Sequence, residues 1–174
     1  MSTWHTMSRT AAVALVLTAL LPLAVVRAAD PVKVTVAFAA FAQAKLERYG
    51  KDESAQLQAR IETAIVTACE RARVPEGATV TVTLEDIAPT HPTRAQQAVD
   101  PSLDPVRTRL LGGADLTGVL RDSRNQVLAT VKHHHYPPNL HWGSPSLEPW
   151  ADANIAIEQF ASQMGKACGR APAG

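Results

Sequence analysis

Leu110–Tyr136, "LLGGADLTGVLRDSRNQVLATVKHHHY", decides the fold. It holds two runs of alternating apolar and polar residues around a polar break at Asp122–Asn125, the pattern of an antiparallel hairpin closed by a tight turn. Gly112, Gly113 and Gly118 within the first run predict a bulge or a close approach of another chain segment. In the second run, strict alternation places Val127, Ala129, Val131, His133 and His135 on one face. Leu128, Thr130, Lys132, His134 and Tyr136 then share the other.

Upstream of the hairpin, "VKVTVAF" (32–38) alternates with Val34, Val36 and Phe38 on one side, a half-buried strand. The following "FAQAKLERYG" reads as an extension toward a short helical turn. From an N-cap at Asp52 to Arg73, Leu57, Ile61, Ala64, Ile65, Ala68 and Ala72 recur at helical spacing. Their narrow, Ala-rich stripe predicts close packing onto a sheet. Pro75 and Gly77 end that helix. "ATVTVTLEDI" (78–87) is a further strand, with Val80, Val82 and Leu84 inward. A last helix starts near Pro149 and buries Trp150, Ala153, Ile157, Phe160, Ala161, Met164 and Cys168, with Gly169 as its stop.

The expected architecture is α+β, in the order β-α-β-β-β-α. A small, mostly antiparallel sheet of about four strands carries two helices on one face. Lys33, Thr35, Thr79, Thr81 and Thr83 fall on the other, a solvated or partner-binding face. Strand order is left open. Between the second and third strands, Ala88–Thr108 carries four prolines within 21 residues. Such a connection is long for a compact domain and is either functional or a surface crossover.

The N-terminus is expected to stand outside this domain. Arg9 precedes the apolar run 11–26, and Val26 and Ala28 occupy the −3 and −1 positions of a small-residue cleavage site. Residues 1–28 read as a secretory signal peptide and 29–174 as the single domain, with an uncleaved N-terminal anchor as the alternative. No membrane insertion is expected after cleavage. Losing Arg9 and Arg27 takes the 17 Lys and Arg to one fewer than the 16 Asp and Glu. That near-neutral balance gives no electrostatic reason to expect nucleic acid or anionic lipid as a partner. The expected location is periplasmic or secreted. There an even count of two cysteines, Cys69 and Cys168, reads as a disulfide joining two helix ends, with two buried thiols as the alternative.

The stretch "PTHPTRAQ" with "SLDPVR", "LLGGADLTGVLRDS", a histidine-rich strand end and Trp150-x-Asp152-Ala153 carries a resemblance. Over roughly 89–165 the chain resembles a group of uncharacterised exported proteins of Gram-negative bacteria known as a domain of unknown function. The resemblance implies a periplasmic or envelope location and no assigned activity. Asn125 and Gln126 stand where many such proteins have a glycine turn.

The chemistry-bearing candidates gather at 131–142, "VKHHHYPPNLHW". His133 and His135, at i and i+2 of a strand, can converge on one metal ion, with His141 as a third ligand and His91 as a fourth. Imidazole-only ligation suits zinc, copper or nickel. The stretch itself contains no acid to orient them. The competing reading is a strand end stopped by Pro137 and Pro138, with Tyr136 and Trp142 packed beneath the last helix. Trp142 and Trp150 are read first as plugs of a small core and second as a binding platform. GxSxG, P-loop, GxGxxG and HExxH patterns are all missing. Asp115 is read as an outward surface residue or a partner of Arg107 or Arg109. No cofactor is required on this reading. The chain is expected to be a non-enzymatic exported binding or envelope-accessory domain with a protein or envelope partner. Its binding surface would include His91, Arg94, Tyr136 and Trp142. Periplasmic zinc or copper binding through His133, His135 and His141 is the alternative.

Overall fold

The structure is a computed structural model describing residues 32–140 and 142–171. The expected signal peptide and its cleavage site lie outside these residues, as does His141. Strand β1 (Lys33–Phe38) is followed by helices α1 (Ala40–Tyr49) and α2 (Lys51–Arg71). Strand β2 (Thr79–Ala88), helix α3 (Arg94–Val99), strands β3 (Gly113–Arg121) and β4 (Val127–His135) and helix α4 (Ala151–Arg170) complete the chain.

The class is α+β with one open mixed sheet, ordered β1-β2-β3-β4. β1 pairs parallel to β2, whereas β2–β3 and β3–β4 are antiparallel. The parallel pair follows from the crossover 39–78, which has room for two helices where a hairpin has room for none. α2 and α4 pack on one face of the sheet, as the sequence predicts. The described residues hold four helices, however, not two.

The two additional helices have local causes. α1 is rich in strong helix formers and buries Ala42 and Leu46, an i,i+4 pair. Gly50, at φ 124°, then breaks the rod, so α2 starts at Lys51 with Gly50 rather than Asp52 as its cap. α3 sits inside the long connection and starts in a capping box. The Thr93 hydroxyl accepts the Gln96 amide N–H, and the Gln96 side chain accepts the Thr93 N–H. α4 starts from Trp150 and runs through Gly169 to Arg170.

The core lies between the sheet and the α2/α4 layer. Val80, Val82, Leu84, Leu116 and Leu120 meet Ile61, Ile65, Ile157, Phe160 and Met164, all at most 1% exposed. Side chains of this size contribute about 1.5–3 kcal/mol each on burial. α4 lies close over β3, since a Cβ on Gly118 would come within 2.7 Å of both Met164 Sδ and Phe160 Cζ. α2 and α4 approach each other through small residues, with Gly165 against the Ala68 carbonyl. The Cys69–Cys168 disulfide joins them near their C-termini. No helix among the described residues is long and apolar enough to cross a membrane.

Two bulges rephase the sheet. The β2–β3 register slips between Leu84 and Asp86, so Ile87 returns to the core and Asp86 faces outward. The β3–β4 register slips between Leu120 and Arg121, where Leu120 pairs Ala129 and Arg121 pairs Val127. Val127 therefore leaves the face predicted by strict alternation and is 52% exposed.

Candidate functional site

The end of β4 divides its histidines between two faces. His133, on the α4 side, has both ring nitrogens engaged. Its Nε2 donates to Gln159 Oε1 at 3.1 Å, and Gln163 Nε2 donates to its Nδ1 at 2.9 Å. Burial, foremost, holds its ionisation below the usual imidazole range. His135 lies parallel to it, with ring centroids 6.4 Å apart. The structure thus brings two of the three expected metal ligands together, but one is already occupied by amides of α4. Among the described residues, no group of three His, Cys, Asp or Glu is placed to hold a metal ion.

His134 points to the open face, where its Nδ1 meets Asp115 Oδ1. The acid missing from the linear stretch is thus supplied by the neighbouring strand. Asp115 pairs with neither arginine proposed for it. Arg107 lies near Asp104, and Arg109 donates to the Ser144 carbonyl. Asp86 is the register partner of Asp115 on its other side, and Lys45 Nζ reaches Asp86 Oδ1 at 2.6 Å. Asp86, Asp115 and His134 therefore form one row across three strands, neutralised at one end by Lys45. Tyr136 stacks obliquely on His134, with centroids 5.2 Å apart. Burial first, then the Asp86 and Asp115 charges, pushes the Tyr136 phenol well above its ordinary range. The row presents an oriented imidazole, its side chain 71% exposed, to solvent.

The two tryptophans have opposite fates. Trp150 is in the core, edge-on to Tyr49 at 5.6 Å, and its indole N–H donates to Glu53 Oε2 at 2.6 Å. Trp142 is 77% exposed and does not pack beneath α4. Trp142 and Ser144 after it are nonetheless hydrogen-bonded to the rest of the chain. The Trp142 N–H donates to the Asn139 carbonyl, the Ser144 N–H donates to Asp152 Oδ1 at 2.5 Å, and Arg109 holds the Ser144 carbonyl. Asp152 is 1% exposed, and its own N–H donates to the Thr90 hydroxyl. Exposed Leu140 and Leu147 flank the tryptophan in sequence.

The long connection is largely built into the fold. Thr90, His91 and Thr93 are buried. His91 Nδ1 lies 3.1 Å from the Thr108 carbonyl, which ties the two ends of the loop together and places His91 in the interior. The Thr93 hydroxyl donates to the Tyr49 carbonyl. Arg94 is exposed and lines a cleft of about 1640 Å³ between α2 and α4, which carries charges of both signs over a small-residue floor.

A second groove, of about 460 Å³, lies between β4 and the C-terminal half of α4. Leu128, Ala129 and Val131 form one wall and Ala167 and Ala171 the other. Sequence reasoning did not find it, because it depends on where α4 crosses the sheet. Comparison with known protein families, characterised proteins and solved structures returns no match to this chain.

Proposed function

We propose that this chain is an exported, non-enzymatic binding domain that docks a protein partner through the loop presenting Trp142. One observation carries the reading: a tryptophan 77% exposed, its N–H bonded to the Asn139 carbonyl and Ser144 beside it held by Arg109 and Asp152. Exposing an indole forgoes its burial energy, and fixing the loop reduces the ordering cost that binding would otherwise incur. Tryptophans so placed are common energetic centres of interfaces. The neighbouring exposed Leu140 and Leu147 extend the apolar surface. The His134–Asp115 pair supplies directional polar contacts from the same strand end.

The disulfide supports an oxidising compartment, periplasmic or extracellular, as the place of action. Zinc or copper handling is supported less well, since a metal on His133 would have to displace Gln159 or Gln163.

The test is a photoreactive amino acid in place of Trp142 in the producing cell. One discrete adduct is expected, and the purified partner it identifies should bind Trp142→Ala at least roughly tenfold more weakly. An unchanged affinity of Trp142→Ala, or the lack of any adduct at 142, would overturn the reading.

A further inference from the structure

We infer that the outer edge of β4 accepts an extended segment of a partner protein as a fifth strand, with apolar residues turned toward α4 and acidic residues on its rims. This surface is independent of the Trp142 loop and goes beyond it.

β4 is terminal in the sheet, and its nine residues have a strand neighbour on one side only among the described residues. Such an edge presents backbone N–H and C=O groups in register for a further strand. Here the edge is also prepared on one face. α4 packs over β3 and β4, and the groove between α4 and β4 is lined by the small side chains Ala129, Ala167 and Ala171 beside Leu128 and Val131. A fifth strand would direct alternate side chains into that groove and complete the helix layer's cover. The other alternate side chains would continue the open face.

The charges select the occupant. Lys166 and Arg170 line the groove from α4, and no carboxylate lines it among the described residues. Lys132 is exposed on the open-face side of the same strand. A segment with Glu or Asp beside its apolar residues would meet cations on both rims. A second copy of this chain, paired edge to edge, would instead bring Lys132, Lys166 and Arg170 against their own equivalents. Lysine on an edge strand is a common device against self-pairing. The same residue that blocks a copy admits an acidic strand.

The experiment uses the processed chain and a fluorescent probe peptide, Glu-Glu-Thr-Val-Glu-Val-Thr-Val-Thr, whose acids fall on both faces of an extended strand, followed by anisotropy. Saturable one-to-one binding is expected. It should weaken at least roughly tenfold for a peptide with lysine at the three acidic positions, and for one N-methylated at alternate residues to block ladder hydrogen bonds. K166E/R170E and A167E should each produce a similar loss while the thermal midpoint stays unchanged, which separates a lost site from a lost fold. Trp142→Ala should leave peptide binding intact even if the loop reading fails. Equal binding of the lysine or N-methylated peptide would overturn the inference, as would no saturation up to about 1 mM. A stable dimer that the peptide does not dissociate would assign the edge to a second copy and overturn it too.

Discussion

His133 and Gln163 hold one another across the β4–α4 contact, with the glutamine amide donating to Nδ1 at 2.9 Å. A proton on that nitrogen would remove the acceptor. Burial, the main cause, places His133 below its ordinary value of 6.5, so the folded protein takes up this proton less readily than the unfolded chain. Stability from this group is therefore full above pH 6.5 and is lost as pH falls below it. The thermal midpoint should drop between about pH 7 and pH 5, and His133→Ala should flatten that part of the profile. An unchanged slope in the variant would remove His133 as the cause.

The sequence has two tyrosines, Tyr49 and Tyr136, and burial raises both above the ordinary 10.0. The folded protein should show little tyrosinate absorbance at pH 10, where a denatured sample is half ionised. Because the folded values are raised, this stability is intact below pH 10 and is lost as pH rises beyond it. Alkaline unfolding and the phenolate signal should therefore appear together. Reversible ionisation of a phenol within the native state near pH 10 would contradict the burial.

Gly118→Ala should cost about 1–3 kcal/mol, because the new methyl meets the buried Phe160 and Met164 beneath α4. Chemical denaturation reads the loss directly. Gly113→Ala should also be destabilising, since Gly113 has φ 153° and its missing Cβ would meet the His135 carbonyl and the Tyr136 ring. Two neutral substitutions would mean that α4 and Tyr136 sit farther from β3 than described.

Removing the disulfide with Cys69→Ala/Cys168→Ala should cost roughly 2–5 kcal/mol, since the bond spans 99 residues of sequence. Intact mass after alkylation of the non-reduced protein should show no modified cysteine.

In the chain from Ala29 onward, iodide should quench Trp142 and leave Trp150 almost untouched. Trp142→Phe should therefore abolish most of the quenching, whereas Trp150→Phe should preserve it. The opposite result would put Trp142 in the core.

Much of the fold is written in simple periodicities. The buried face of α4 and the alternation of β1 and early β2 can be read directly, because one face of each is buried against a single layer. The missed elements depend on weaker local signals. α3 was announced by Thr93-x-x-Gln96, a capping box within a proline-rich stretch. The β2 bulge was written in the spacing of its buried residues, since Val80, Val82 and Leu84 step by two and Ile87 follows by three. The candidate site was less legible for the same reason. Counting back from the turn through Arg121 and Val127 without a bulge sets Asp115 opposite His133. The slip at Leu128 moves it to His134 and so to the other face. Trp150 opens the helical stripe of α4 and was readable as buried, whereas Trp142 sits in a stretch without periodicity, so only the docking of that stretch decides its exposure.

The Cys69–Cys168 bond also sets a timetable. Synthesis runs from the N-terminus, so the Cys69 thiol is made 99 residues before its partner. At about 5–20 residues per second it waits roughly 5–20 s as an open nucleophile. Two cysteines allow one intramolecular pairing, so shuffled isomers of a single chain do not exist. Errors of oxidation must therefore take the form of covalent dimers or capped thiols, products that a non-reducing gel or an intact mass reveals at once.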